Sequence, residues 1–194
     1  HTRRYCDDYD TIVSDDDFGA EAVVTHLAEL GHKKITHFGH ISGSGDESLQ
    51  FVSTRRIRGY EAAMAKWGLA ENCRVVSCEY SVAAGYQAAQ SVLEAKDRPT
   101  AIFAGTDDVA FGIMQRAFEL GIRIPEDLSI VGYDNTKMSA FGPISLTTVD
   151  QDPVAIGNKA AEFLISRLDG RREAQGAVFS PTLIVRDTCG PVGG

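Results

Sequence analysis

Two periods of apolar residues alternate along this chain. Ala20, Val23, Val24, Leu27 and Leu30 keep the three-and-four spacing of one helical face, and Gly31 then supplies a stop. KITHFGH (34–40) reads as a short strand. After a polar, Gly/Ser-rich loop, Ile57, Tyr60, Met64 and Trp67 mark a second helical stripe closed by Gly68. RVVSC (74–78) is a strand, Val82, Tyr86, Ala89 and Leu93 a helix ending before Pro99, and AIFA (101–104) a strand. Asp107 stands where an N-cap is expected, before a helix through Val109, Ile113, Met114, Ala117 and Leu120 that Gly121 closes. LSIVG (128–132) and SLTTV (145–149) are strands. Val154, Ala161, Leu164, Ile165 and Leu168 predict a last helix, and AVFSPTLIVR (177–186) a terminal strand that Pro181 assigns to a sheet edge.

Strand–helix alternation with short connections predicts an α/β fold: a parallel sheet with helices on both faces. In such sheets ligands lie outside the carboxyl ends of the strands. Three strand ends deliver groups suited to that place: Tyr80 after VVSCE, Thr106 after AIFAG, and Asp134 after LSIVGY. Turn formation is the plain explanation for an Asp after a strand. The convergence of three strands on one rim argues for a crevice that Asp134 faces. STRRIRGYEAAM (53–64) adds three arginines near the start of a helix. Arg56 lies three residues before Gly59 on nearly the same face, and a guanidinium there is able to clamp hydroxyls, a carboxylate or a phosphate. A glycine inside a helix costs about 0.5–1 kcal/mol relative to Ala, which close packing would offset.

Other chemistry is thinner. GSGDES (43–48) meets neither the phosphate-loop nor the dinucleotide pattern, and a surface loop is the expectation. His37 and His40 fall on opposite faces of a continued strand, which argues against a shared metal. No serine sits in a GxSxG elbow and no base–nucleophile set is evident, so no enzyme is expected, and neither metal nor cofactor. The acidic runs Asp15–Asp17 and Asp107–Asp108 precede helices, where capping and the helix dipole explain them.

Composition narrows the class. The 194 residues are 43% hydrophobic and 8% aromatic, as in an ordinary globular protein. A net charge of −8 without a basic block makes the chain a poor binder of nucleic acid. No apolar run nears 18 residues, and HTRRYCDDYD lacks the core of a signal peptide, so no membrane partner is expected. The chain does not start with Met, which leaves room for a segment upstream. Cys6, Cys73, Cys78 and Cys189 are scattered and suit a reduced, cytoplasmic setting.

GAEAVVTHLAELGHKKITHFGH, RRIRGYEAAM, PTAIFAGTDDVAFGIMQRAFELGIRIPEDLSIVGYDN and SLTTVDQDP…LIVRDT together resemble the effector-binding core of the LacI family of transcription regulators, from about Val13 to Thr188. The resemblance implies a type I periplasmic-binding-protein-like fold, mainly its C-terminal lobe. Residues 1–13 would be a remnant of the N-terminal lobe and a crossover, and 14–150 the C-terminal lobe. Residues 151–176 would be a crossover and a helix of the N-terminal lobe, and 177–194 the final strand of the C-terminal lobe with a tail. Arg56 matches the family's effector-contacting arginine, Asp134 the acid that accepts from the effector, and Tyr80 a stacking aromatic. Thr106 matches a variable contact, and Gln151 and Pro153 contacts near a crossover. The implied function is a sensor of a small polar molecule, a sugar or derivative, that alters operator binding and acts as a repressor. Operator DNA would be reached only through a helix-turn-helix absent from this chain. The resemblance also implies a homodimer, with Phe111, Met114, Met138 and Phe141 as interface candidates and ordinary core packing as the alternative. A periplasmic sugar-binding protein of the same fold and an α/β enzyme for a phosphorylated substrate are the competing readings.

Overall fold

The computed structural model describes residues 9–40 and 47–193. Along them run β1 (Thr11–Ser14), α1 (Asp16–Glu29), β2 (Ile35–Gly39), α2 (Glu47–Lys66), β3 (Arg74–Ser77), α3 (Val82–Leu93) and β4 (Ala101–Ala104). There follow α4 (Asp107–Glu119), β5 (Ser129–Tyr133), β6 (Thr147–Asp150), α5 (Pro153–Leu168), β7 (Gly176–Phe179) and β8 (Thr182–Ile184). Cys6 and most of GSGDES lie outside the described residues.

Six strands form one sheet in the order β3-β2-β4-β5-β6-β8. The first five are parallel and β8 is antiparallel to β6. Alternate strand residues face opposite helical layers, as a pleated backbone requires. Phe38, Ile102 and Ile130 pack with Val92 of α3 and Val109 and Ile113 of α4. Ile35, Phe103, Val131 and Val149 pack on the other face with Val23 and Leu27 of α1 and Tyr60 and Met64 of α2. A strand buried on both faces needs a largely apolar run, which AIFA and LSIVG supply, the one hydroxyl, Ser129, lying within hydrogen-bond distance of His32. The fold is therefore α/β, with a parallel sheet and helices on both faces.

A second unit is smaller. β1 pairs in parallel with β7 in a separate two-stranded sheet, and α5 lies against β1. The Asp10 carboxylate, just before β1, accepts from Arg167 and Arg171 and from the Gln175 amide, which ties the end of α5 to the turn before β7. These hydrogen bonds hold the Asp10 carboxyl far below the usual carboxylate range.

Two expectations require correction. AVFSPTLIVR is not one strand: Gly176–Phe179 joins β1 in the small sheet, while Thr182–Ile184 joins the edge of the large one. Proline lacks an N–H and cannot continue a ladder, so the chain changes sheets at Ser180–Pro181. The range 177–194 accordingly divides between the two units. SLTTV also starts later than expected, at Thr147, because Ser145 has φ 43°, outside the extended region.

Candidate functional site

The strand order turns around β2, since the next two strands in the chain, β3 and β4, lie on its two sides. Outside the carboxyl ends of such strands the diverging connections leave a crevice. The residues predicted from strand ends are assembled there. Arg56, on α2, donates from Nε to Asp16 Oδ1 at 3.0 Å and from Nη1 to the Gly105 carbonyl at 2.5 Å. Its Nη2 lies 3.8 Å from Asp134 Oδ1, and its guanidinium carbon lies 3.7 Å from the centre of the Tyr133 ring. Burial works against the arginine's charge, but Asp16, Tyr133 and Asp134 more than compensate and raise its affinity for the proton.

Asp134 follows β5 with φ 107°, a conformation costly for a residue with a side chain, and Asn135 follows with φ 48°. The Asp134 amide donates to the Val149 carbonyl at 2.8 Å, which holds this strained corner against β6. Its Oδ1 accepts from Gln151 Nε2 at 2.8 Å. Burial pushes the Asp134 carboxyl up to about 6, with Arg56 pulling the other way and Asp107 adding to the rise.

Tyr80 packs on Gly105: a Cβ there would come within 2.6 Å of the Tyr80 ring and 2.8 Å of the Phe38 carbonyl. Only glycine lets the tyrosine and the β4 end approach so closely. Among the described residues the enclosed Tyr80 hydroxyl has no hydrogen-bond partner, and the ring centre lies 6.0 Å from that of His40. Arg56, Tyr80, Thr106, Asp134 and Gln151 thus meet at one end of the sheet. Pro153 lies apart, exposed as the first residue of α5 behind its Asp152 cap.

Three assignments differ from expectation. Thr106, not Asp107, caps α4, its Oγ1 accepting from the Val109 amide at 3.3 Å. Asp107 is wholly buried and accepts from Thr148 Oγ1 at 2.5 Å, Thr136 N at 2.7 Å and Thr136 Oγ1 at 3.0 Å. It pins the Asn135–Thr136 corner behind Asp134. The run Asp15–Asp17 is not the helix cap expected of it: Asp15 stands at the N-cap of α1 without a side-chain capping hydrogen bond, and the three carboxylates face arginines of α2 instead. Asp15 and Asp17 accept from Arg55, Asp16 from Arg56, and Asp17 from Arg58. Gly59 makes this possible, since a Cβ there would meet the Asp17 carbonyl at 2.6 Å. The compensating close packing expected at that glycine is the crossing of α1 and α2.

Asp16 and Tyr133 are the partners that sequence reasoning missed. RR and DDD on neighbouring helices carried a signal of complementary charge, but no spacing rule relates residues 40 apart. His37 is buried, with Nδ1 3.0 Å from the Phe103 carbonyl and its ring 4.3 Å from that of Phe103. Burial lowers its pKa to about 3. No group of three or more potential metal ligands gathers among the described residues. Of the interface candidates, Phe111 and Met114 are half-buried against the core, while Met138 and Phe141 are exposed. Phe118, on the same helix and not anticipated, is 84% exposed.

The sequence profile of the periplasmic binding protein-like domain matches residues 24–189. The HTH-type transcriptional repressor PurR of Vibrio atlanticus is 34% identical over 182 residues, 92% of this chain and 52% of that protein. The chain thus spans about half the length of the curated relatives it matches. A LacI-family transcriptional regulatory protein from Corynebacterium glutamicum superposes with a TM-score of 0.78 at 37% identity, over 92% of this chain and 67% of that one. A LacI family regulator from Enterococcus faecium with bound ribose gives 0.83 at 28% identity, over 94% and 66%.

Proposed function

The chain belongs to the periplasmic binding protein-like family, in its LacI-type regulator branch, and on that premise we propose that it senses a small polar effector, a sugar or sugar derivative, for a transcriptional repressor. The carrying observation is the Arg56–Asp134 pair at the carboxyl ends of the sheet, with Gln151 joined to the same carboxylate. The crevice offers an ionised acceptor, a buried cation behind it and an aromatic wall from Tyr80. These are the elements that recognise hydroxyl groups on a ring. The ribose in the Enterococcus faecium neighbour supports the sugar class.

The coupling to regulation runs through the crossovers. Asp16 lies just after β1 and Gln151 just after β6, and both touch the Arg56–Asp134 pair. An effector that replaces the Gln151 contact on Asp134 gains affinity for one arrangement of the two units over the other. Such a difference is what an allosteric ligand requires. DNA is reached through a helix-turn-helix elsewhere in the protein, and the regulator acts in the cytoplasm as a homodimer through Phe111, Met114, Met138 and Phe141. The site binds without turnover. Among the described residues no helix is long and apolar enough to cross a membrane.

Thermal-shift titration of the full-length protein with pentoses, hexoses and disaccharides tests the reading. A sugar that raises the melting temperature of the wild type should raise it far less in Asp134→Ala. An equal rise in both proteins would remove the crevice from the function.

A further inference from the structure

The two charges of the site are not equally accessible. The Arg56 side chain is 4% exposed: its Nε donates to Asp16 and its Nη1 to the Gly105 carbonyl, its Nη2 lies 3.8 Å from Asp134 Oδ1, and Tyr133 covers one face. The Asp134 side chain is 34% exposed. What a ligand meets is therefore the carboxylate, with the cation behind it. Asp16 is as buried as Arg56 and neutralises it, so Arg56, Asp16 and Asp134 together carry an excess of one negative charge when ionised. Further back, Asp107 on α4 is offset by Arg186, which donates to Asn135 Oδ1 at 2.7 Å, and the balance near Asp134 is unchanged. A carboxylate or phosphate entering here would have to approach Asp134 and take Arg56 away from a partner it already holds. Like-charge juxtaposition and the stranding of a buried ion both oppose that entry.

We infer that the crevice selects a hydroxyl-rich ligand bearing no negative charge and rejects the phosphorylated or carboxylated form of the same molecule, with Asp16 as the residue that sets this selectivity. The inference rests on the sugar-sensing reading of the same site and narrows it. A neutral polyol or amino sugar donates to Asp134 without disturbing the Arg56–Asp16 pair. A sugar phosphate or sugar acid presents acceptors to an acceptor. Asp16 does not face the ligand; it acts through Arg56 and is a positioning residue.

Calorimetric titration of the full-length protein at pH 7.5 with matched probes tests this: ribose against ribose 5-phosphate, glucose and glucosamine against glucuronate and glucose 6-phosphate. The best uncharged or amino sugar should bind at least thirtyfold more tightly than its anionic counterpart. An anionic probe that binds as well or better overturns the inference. Asp16→Asn, which leaves Arg56 short of a carboxylate, should shrink the neutral-to-anion ratio at least fivefold, and Asp16→Glu should restore it. A melting curve of each variant confirms that it is folded. An unchanged ratio in a folded Asp16→Asn protein overturns the role of Asp16. The two readings fail differently. Anion-preferring binding that Asp134→Ala abolishes leaves the sensor site standing and removes the selectivity. Binding of any probe that Asp134→Ala leaves intact removes the site itself, and the selectivity with it.

Discussion

In the six-stranded sheet helices cover both faces, and Phe38, Ile102 and Ile130 on one side and Ile35, Phe103 and Val131 on the other are wholly enclosed. In the β1–β7 pair one helix lies against the strands, and of that helix Phe163 is the buried residue while Val154, Leu164, Ile165 and Leu168 are exposed. Both units come from the same strand–helix alternation, yet they are stabilised differently. Apolar burial holds the large sheet, at roughly 25 cal/mol per Å² removed from water. The small one is held by the Asp10 cluster and by covalent continuity through three crossovers. A two-stranded sheet has little stability of its own, so the units are expected to open with different free energies.

The largest expected effect separates them directly. Phe103→Ala removes a ring packed between His37 and Tyr133 at the centre of the large sheet and should cost about 3–5 kcal/mol in urea denaturation. Leu168→Ala, at a side chain of α5 that is 77% exposed, should change stability by less than about 0.5 kcal/mol. Comparable losses at the two positions would mean that α5 is buried in solution and that the contrast between the units is false.

The sequence disclosed these two units unevenly, for physical reasons. The strands and helices of the large sheet were legible because each carries a complete local signal: an apolar run or stripe, then a Gly or Pro stop. The convergence of Tyr80, Thr106 and Asp134 was legible because parallel topology puts their strand ends on one edge. Which strand joined which sheet near the end of the chain was not, since the small sheet pairs residues 11–14 with 176–179 and nothing in AVF differs from TLI in period. The partners of Arg56 were hidden for a similar reason. An ion pair between α1 and α2 depends on the crossing of the two helices, and the traces of that crossing, Gly59 and the complementary charge of RR and DDD, do not say which residues meet. The roles of Thr106 and Asp107 were exchanged because either residue type caps a helix. The deciding factor was the pair of threonines, Thr136 and Thr148, that the carboxylate reaches across the sheet edge.

A smaller effect comes from two titratable groups, the enclosed His37 and the half-buried Asp134. His37 has a pKa of about 6.5 when unfolded and about 3 in the fold. Its neutral form favours the fold, so its contribution is full above pH 6.5 and is lost as pH falls, at roughly 1.4 kcal/mol per pH unit below that point. Asp134 runs the other way: burial raises it from 3.8 to about 6, so between these values the folded protein takes up a proton more readily and gains stability as pH falls. Arg56 from α2, Asp16 from α1, Asp107 from α4 and Gln151 from the β6–α5 crossover all face Asp134, and Arg56 also acts on His37. The two slopes partly cancel in the wild type. In Asp134→Asn the offset is gone, and stability measured by urea denaturation should fall more steeply between pH 6 and 4 than in the wild type. A shallower fall would reverse the assignment of Asp134 as the acid that offsets His37.

The smallest global effect should come from the small unit's clamp, and it is the sharpest test of the comparison. Asp10→Ala removes the acceptor shared by Arg167, Arg171 and the Gln175 amide. The cluster is screened by solvent and salt, and the urea midpoint of the whole protein should hardly move. Locally the change should be plain. Amide exchange in β1, β7 and the last turn of α5 should quicken, while β2, β4 and β5 keep their protection. If protection fell throughout the large sheet as well, the two units would unfold as one, and Asp16 and Gln151 would link regions already rigidly joined. If only the small unit loosened, the crossovers beside the Arg56–Asp134 pair would lie at a boundary between independent bodies, where a bound ligand has something to shift.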